Sequence, residues 1–416
     1  MNNLFAMWKP ELLAPAKNLE RLKVAIAYGA DAVYLGGAKY GLRARADNFT
    51  DYELEKGVAF AHQHDAKVYI TLNAFLHDAD LEGLEEYCQF LESIDVDGVI
   101  VSDLGVLRVV RHSSSINIHL STQASCLNSY AAYLWKEMGV KRVIVGRELS
   151  IAEAGLIRRS GIDVEMFAHG AMCMAYSGHC TISNFTAGRD SNRGGCIQSC
   201  RVPYHLQSNA NEHWENKNQN DLVTFVSSRD LWGIYQIGEF FKHQICSLKI
   251  EGRMKSSFYV ALTCKIYRQL IDSYAAGTLS ADLLQKAAAE LQSVPHRDYF
   301  SGSLETPADS DSVFQLSGIN TGSQQYLGIV IDSTPQEIIL RLAEPLKVGD
   351  EIEIVPFQGE PIFWKVDQLF SVTGERLKSM RQDSIVRIPK LDARLDDIAK
   401  LNVVRFAQVV TLANAI

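Results

Sequence analysis

Leu12-Leu13-Ala14-Pro15-Ala16-Lys17-Asn18-Leu19-Glu20-Arg21-Leu22-Lys23-Val24-Ala25-Ile26-Ala27-Tyr28-Gly29-Ala30-Asp31-Ala32-Val33-Tyr34-Leu35 is the stretch whose reading decides the fold. Leu12–Ala14 is a short apolar run. Leu19–Tyr28 carries apolar residues at i, i+3, i+4 spacing, which gathers them on one face of a helix. Tyr28-Gly29-Ala30-Asp31 turns the chain, and Ala32–Leu35 is a second apolar run. Strand, helix, strand with short connections is the unit of a parallel sheet, because a parallel pair needs a crossover between its members.

The unit repeats down the chain. Further candidate strands lie at Val68–Leu72, Gly98–Val101, Ile116–Leu120, Val143–Val145, Val164–Phe167 and Ser247–Ile250. Helix-length segments such as Asp80–Glu92 and Ser129–Met138 separate them, with a turn at Met138-Gly139-Val140. Gly98-Val99-Ile100-Val101 is apolar throughout, as suits a strand covered on both faces. Eight such units favour an α/β fold of the closed (β/α)8, TIM-like barrel type over an open doubly wound sheet. A dinucleotide-binding open sheet would show Gly-x-Gly-x-x-Gly after its first strand, and none follows Leu12–Ala14. Helices at Phe258–Tyr274 and Ala281–Leu291 complete a barrel domain expected to span residues 1–294. Residues 295–325 are polar and read as a linker. Beyond them, Tyr326–Ile331, Ile338–Leu342, Glu351–Val355, Phe363–Leu369 and Ile385–Ile388 are short runs divided by turns. That predicts a small all-β, barrel-like domain over 326–416.

Composition bounds the function. The 416 residues are 47% hydrophobic and 22% charged, which excludes a disordered chain. The net charge of −8 argues against a globally basic nucleic-acid binder and leaves room for a local basic surface. The start, MNNLFAMWKPELLAPAK, lacks a basic segment followed by an apolar one, and no run of about 18 apolar residues occurs. A cytoplasmic, reduced protein with no membrane span is therefore expected. In such a compartment clustered cysteines point to metal or catalysis before disulfides.

The regular pattern breaks over residues 170–230, a long excursion rich in Cys, Gly, Ser, Asn and Arg. In a barrel it belongs at the C-terminal ends of the strands, where active sites are built. Four of the eight cysteines, Cys173, Cys180, Cys196 and Cys200, fall in it with spacing Cys-x6-Cys-x15-Cys-x3-Cys. Soft thiolates in this number suit zinc or an iron–sulfur cluster. No Cys-x2-Cys knuckle is present, so a [4Fe–4S] cluster leads and zinc is the lesser alternative. Cys88, Cys126, Cys246 and Cys264 stand alone in helical or strand contexts and read as small buried hydrophobes.

A second constellation is Ser247-Leu248-Lys249-Ile250-Glu251-Gly252-Arg253-Met254-Lys255-Ser256. On a strand Lys249 and Glu251 share one face. Arg253 and Lys255 precede a helix, a place that favours anions. Lys249, Glu251 and Arg253, with Glu165 and His169 flanking strand seven, are the candidate catalytic residues. Arg147, Glu148, His119, Gln123 and Lys255 are candidates for binding substrate, and Glu11 and Asn73 also flank strands. Arg189, Arg193 and Arg201, against Asp190 alone, give the excursion a basic character suited to a polyanion or a small carboxylate. Tyr176, Phe185 and Tyr204 interleave with these arginines and are candidates for stacking on bases.

These stretches carry a resemblance. Glu11-Leu-Leu-Ala-Pro-Ala-Lys17, Asp31-Ala-Val-Tyr-Leu-Gly-Gly37, Glu165-Met-Phe-Ala-His-Gly-Ala-Met-Cys173 and Ser177-Gly-His-Cys180-Thr-Ile-Ser183 are similar to motifs of the collagenase-like peptidase family U32. So are Gly195-Cys196-Ile-Gln-Ser-Cys200-Arg201 and Ser247–Ser256, and the likeness, closest to the tRNA hydroxylation branch, runs over roughly residues 10–390. The resemblance implies an iron–sulfur protein that hydroxylates an RNA base without molecular oxygen. For this branch it implies 5-hydroxyuridine at the wobble uridine of a tRNA anticodon loop, with prephenate needed in the pathway. Cys173, Cys180, Cys196 and Cys200 would hold the cluster, Cys200 being the position where branches differ. The alternatives are a sister activity on an rRNA cytidine, a metal-dependent peptidase and a non-catalytic protein that acts with a partner subunit. No Ser-x-x-Lys, His-Glu-x-x-His or Gly-x-Ser-x-Gly supports proteolysis. A pair of apposed carboxylates cannot be judged at this level.

Overall fold

The repeated unit closes on itself. In the computed structural model, which describes residues 8–42, 48–205, 222–224, 226–306, 322–391 and 395–407, β1 (Glu11–Pro15) pairs in parallel with β2 (Ala32–Leu35) across α1 (Leu19–Ala27). β3 (Lys67–Leu72), β4 (Gly98–Val101), β5 (Ile118–Leu120), β6 (Val140–Ile144) and β7 (Asp163–Ala171) follow in order. Their crossovers are α2 (Asp51–His62), α3 (Leu84–Ser93), α4 (Leu104–Ser113), α5 (Ser129–Glu137) and α6 (Ile151–Arg158). The strand Ser247–Ile250 lies between β7 and β1 and completes an eight-stranded TIM-like barrel. The helices start where the sequence supplies caps. Asn18, Asp103 and Asn128 each accept an amide of the first turn, and Thr50 and Ser150 form capping boxes with Glu53 and Glu153.

β7 is longer than its apolar run. After Phe167 its register against Ser247–Ile250 slips, and His169–Ala171 turn away to pair antiparallel with Asp230–Trp232, a strand contributed by the excursion. Gly170 makes the departure possible: its φ is +100°, and a Cβ there would lie 2.2 Å from the Glu251 carbonyl oxygen. Tyr299–Phe300 adds to Asp230–Trp232 in parallel, and His296 and Arg297 are buried. The first part of the stretch expected to be a linker is thus packed onto the barrel. Arg297 is buried there with partners: it donates from Nη1 to the Ser228 carbonyl (2.8 Å) and from its amide to Asp230 (3.2 Å).

The C-terminal part is built on one eight-stranded antiparallel sheet, with Leu346–Lys347 and Ser379–Met380 forming a separate two-stranded pair. Its last described strand, Val403–Phe406, inserts between Tyr326–Ser333 and Glu351–Val355. The run Phe363–Leu369 divides into Ile362–Lys365 and Leu369–Ser371, which lie far apart in the strand order. This sheet is joined firmly to the barrel. Tyr28, fully buried, donates to the Val355 carbonyl (2.6 Å) and accepts from the Val403 amide (2.9 Å). Arg405 pairs with Glu290 (2.6 Å) and Glu353 (2.7 Å). Among the described residues no helix is long and apolar enough to cross a membrane.

Candidate active site

The barrel lumen is charged. Alternate residues of each strand point inward, and near the N-terminal ends of the strands those residues are Glu11, Tyr69, His119, Arg142, Glu165 and Ser247. Arg142 donates from Nη1 to Glu11 (2.6 Å) and Glu165 (3.2 Å). Tyr69 (2.8 Å) and Ser247 (3.1 Å) donate to Glu11. One layer higher Lys249 donates to Glu165 (2.8 Å), and its ammonium stands 4.3 Å from the centre of the Tyr34 ring. Two carboxylates and two cations form a neutral, largely buried ladder. Burial pushes the Glu11 carboxyl up, but the Arg142 charge and the bonds from Arg142 and Tyr69 prevail and hold it below its ordinary value. His119, edge-on to Tyr69 at 4.6 Å, is kept neutral first by burial and then by Arg142, Lys249 and Lys67.

Above this ladder a cavity of about 390 Å³ opens at the C-terminal ends of the strands. Lys249, Tyr34 and Phe167 line it from below, and Thr71, Asn73 and Gln123 line its wall. The excursion covers it, and all four clustered cysteines line it as free thiols. The cover is pinned. Ser177, at φ 48°, donates its amide to Glu148 (2.6 Å), and Arg193 pairs with Asp80 (2.5 Å). His179 bonds the Gln123 carbonyl (2.6 Å), Ser183 and Thr186 bond the Ser199 hydroxyl, and Tyr204 donates to the Ser199 carbonyl (2.7 Å). The thiols are mutual neighbours. Burial raises Cys180 and Cys200 above the ordinary thiol value, and Cys173 and Cys196 push both further; Arg201 and Arg297 draw Cys200 the other way.

The predicted residues separate into three groups. Lys249, Glu251, Arg253, Arg147, Lys255, Arg201, Gln123 and Asn73 line the cavity with the four cysteines. Arg147 lies 3.8 Å from the Phe167 ring centre and 3.7 Å from Glu251, and Arg253 donates to Asn48 (2.8 Å). Glu165 and His119 sit below the cavity inside the barrel. Glu11 does too, at the end opposite the mouth, because it is the first residue of its strand and not the last. His169 lies behind the cover, fully buried among Tyr259, Tyr267 and Tyr299, and burial brings its pKa down to about 3. Glu148 and Arg193 hold the cover, while Arg189 and Phe185 stand exposed on its outside with Tyr176.

Sequence reasoning missed Arg142, Tyr34, Phe167 and the pair Asp230–Arg297. The signal for Arg142 was present: in Val140-Lys141-Arg142-Val143-Ile144 a charged residue holds an inward position of a strand that begins earlier than its apolar run. Asp230 and Arg297 gave none, since their partners are distant in sequence.

Comparison with known proteins agrees with this architecture. The family model described as Peptidase family U32 matches residues 17–313. The chain is 39% identical over 393 residues to tRNA hydroxylation protein P1 of Bacillus subtilis (strain 168), covering 93% of each. It is 32% identical over 418 residues to tRNA hydroxylation protein P of Escherichia coli (strain K12), covering 89% of this chain and 91% of that one. To 23S rRNA 5-hydroxycytidine C2501 synthase of the same organism it is 31% identical over 359 residues, covering 83% of this chain and 52% of that one. A family match across most of the barrel, with similarity that continues through the C-terminal sheet, shows that this chain belongs to peptidase family U32.

Proposed function

We propose that this protein hydroxylates an RNA base, and that its substrate is the wobble uridine of tRNA, which becomes 5-hydroxyuridine. We further propose that Cys173, Cys180, Cys196 and Cys200 hold a [4Fe–4S] cluster over the barrel mouth. The observation that carries this reading is the gathering of four free thiols around one cavity whose floor is an ion-paired lysine. Thiolates are the donors such a cluster takes. Among the described residues no three His, Cys, Asp or Glu side chains converge on a single ion.

When bound, the cluster supplies electron transfer. The chain's own residues prepare the base. A base must leave its stack to be reached, and a pocket reads its edge by hydrogen bonds. Asn73, Thr71 and Gln123 offer donors and acceptors on the wall, and Tyr34 and Phe167 offer ring faces. Lys249, paired with Glu165, presents a fixed ammonium where negative charge on a carbonyl oxygen of the base would be stabilised. The pinned cover fixes the four thiols against the cavity. The relatives named for tRNA match this chain along nearly their whole length and the rRNA enzyme along half of its own, which favours tRNA.

A peptidase reading finds less support. Glu11 and Glu165 do share one guanidinium, yet Arg142 and Lys249 neutralise both and they lie sealed beneath the cavity. A proteolytic carboxylate pair shares a proton and meets its substrate.

The test is anaerobic purification of the full chain with iron and sulfide counted, followed by mass spectrometry of tRNA nucleosides from cells lacking the protein. About four irons and four sulfides per chain, and 5-hydroxyuridine restored by the wild type and not by Cys173→Ala, are expected. Stoichiometric zinc without sulfide, or modification that persists in Cys173→Ala, would refute the cluster mechanism.

A further inference from the structure

The cations around the cavity are unequally partnered. Lys249 has Glu165, and Arg147 has Glu251. Behind Cys200 three cations, Arg201, Lys255 and Arg297, stand around one buried carboxylate, Asp230; Glu251 also acts on Lys255 but is paired with Arg147. Arg297 uses Asp230 through its backbone amide and sends its guanidinium to the Ser228 carbonyl. Lys255 reaches the Pro295 carbonyl (3.1 Å) and stands 3.9 Å from Asp230. Arg201, half-buried in the cavity wall, has no carboxylate or carbonyl partner among the described residues. Burial holds the Lys255 ammonium below its ordinary value; Asp230 and Glu251 favour its charge, while Arg201 and Arg297 oppose it.

Like charges held together beside a cavity raise the free energy of the folded state unless an anion enters. The backbone here is not free to splay them apart: Arg201 ends the turn Ser199–Arg201, which Tyr204 fixes through the Ser199 carbonyl, and Lys255 closes a turn onto the Gly252 carbonyl. A guanidinium fork and an ammonium opening on the same space make a receptor for two oxygens of one planar or tetrahedral anion.

We propose that Arg201 and Lys255 form an oxyanion subsite of the cavity, beside Cys200, that takes a carboxylate or phosphate group. The group belongs either to a small free anion or to the sugar–phosphate backbone of a bound RNA. The site stands whichever reaction the cavity performs, because it rests on charge and packing alone.

The full chain, purified anaerobically, would be titrated with inorganic phosphate and with succinate by calorimetry, and with an RNA anticodon stem–loop by fluorescence anisotropy across a salt series. Arg201→Ala, Lys255→Ala and Arg201→Lys would be compared after circular dichroism confirms folding and iron and sulfide are counted. A free-anion site predicts that Kd for phosphate or succinate rises about tenfold or more in both alanine variants. Arg201→Lys would keep part of the affinity, and RNA binding would hold steady. A backbone-phosphate site predicts weaker RNA binding in the same variants, with the slope of log affinity against log salt reduced by about one. The proposal is overturned if no anion and no RNA affinity changes in either alanine variant. It is equally overturned if their sole effect is loss of iron and sulfide, which would make these cations supports of the thiolates.

Discussion

The two large sheets of this protein enclose opposite interiors. The C-terminal sheet closes over Leu327, Val330, Leu340, Ile354, Val386 and Val404, all fully buried and all aliphatic. The barrel encloses Glu165, Lys249 and Arg142, all buried, with Glu11 nearly so, and all four are charged. Fold alone does not ask for this, since branched aliphatic side chains commonly fill a closed barrel. Taking each ion out of water costs several kcal/mol, and mutual attraction returns that only when every charge keeps its partner. The apolar interior is therefore read as stability. The charged one is a platform that fixes an ammonium at the floor of a cavity, tolerated because its sum is zero.

The largest test breaks that neutrality. Glu165→Leu leaves Lys249 without its carboxylate and Arg142 with Glu11 alone, and chemical denaturation should show a loss of about 3–5 kcal/mol. Glu165→Leu with Lys249→Leu removes one charge of each sign and leaves the Glu11–Arg142 pair intact. Its stability should return to within about 1.5 kcal/mol of wild type, as volume-conserving apolar replacement allows, while RNA hydroxylation is lost. No second truncation rescues the other interior: Leu340→Ala costs about 2–5 kcal/mol, and removing another buried aliphatic deepens the deficit. A double barrel variant as unstable as the single one would show that the ladder is structural.

The same contrast explains what could be read in advance. All eight barrel strands were legible, and so were the helices near Leu19–Ala27, Leu84–Ser93 and Ser129–Glu137, because apolar periodicity is a local property and both faces of the barrel wall demand it. The depth of a charged residue was not. Glu165 and Lys249 read as strand-end residues, yet Lys249 faces a cavity and Glu165 its ion partners Arg142 and Lys249, a distinction set by register across the barrel. The extra length of β7 and the strand Val403–Phe406 escaped because their partners lie far along the chain. The cysteines were legible as a group by density alone. That their cover is fastened by Glu148, Arg193 and Tyr204 was not, since a fastening bond looks in sequence like any other polar residue.

Acid sharpens the comparison by about 2 kcal/mol. Burial first, then Lys255 and His296, bring His169 down to about 3, and His119 is depressed likewise by burial, Arg142 and Lys249. An unfolded histidine titrates near ~6.5. Between that value and the folded ones the unfolded chain binds more protons, so stability falls as pH drops, by about 1.4 kcal/mol per unit for each histidine. From about pH 6.5 to 5, above most carboxylate titration, His169 should account for roughly 2 kcal/mol. His169→Phe should halve the slope of unfolding free energy against pH in that window. The chain from residue 326 onward contains no histidine. Amide exchange in the strand Glu337–Leu342, where it occurs by local opening, should therefore show no such pH term once intrinsic rates are removed. An unchanged slope in His169→Phe would mean that the ring is charged in the folded state.

The smallest effect on stability should come from the outside of the cover. Phe185 is 87% exposed and Tyr176 60% exposed, on a segment that Thr186, Ser183 and Ser199 hold in place. Neither ring contributes to the aliphatic or to the charged interior, so Phe185→Ala should alter unfolding free energy by no more than about 0.5 kcal/mol. What an exposed aromatic on a fixed loop can do is stack on an unpaired base, worth about 1–3 kcal/mol per base, with Arg189 near in sequence to meet a phosphate. Affinity for an anticodon stem–loop should fall by about 5-fold to 150-fold in Phe185→Ala, while a duplex of equal charge, whose bases are already stacked, should bind the variant as it binds the wild type. Equal losses on both RNAs would assign the surface to charge alone. A melted cover would announce itself differently, by releasing the iron that Cys180 and Cys200 are proposed to hold, so counting iron in the variant separates a lost stacking partner from a lost scaffold.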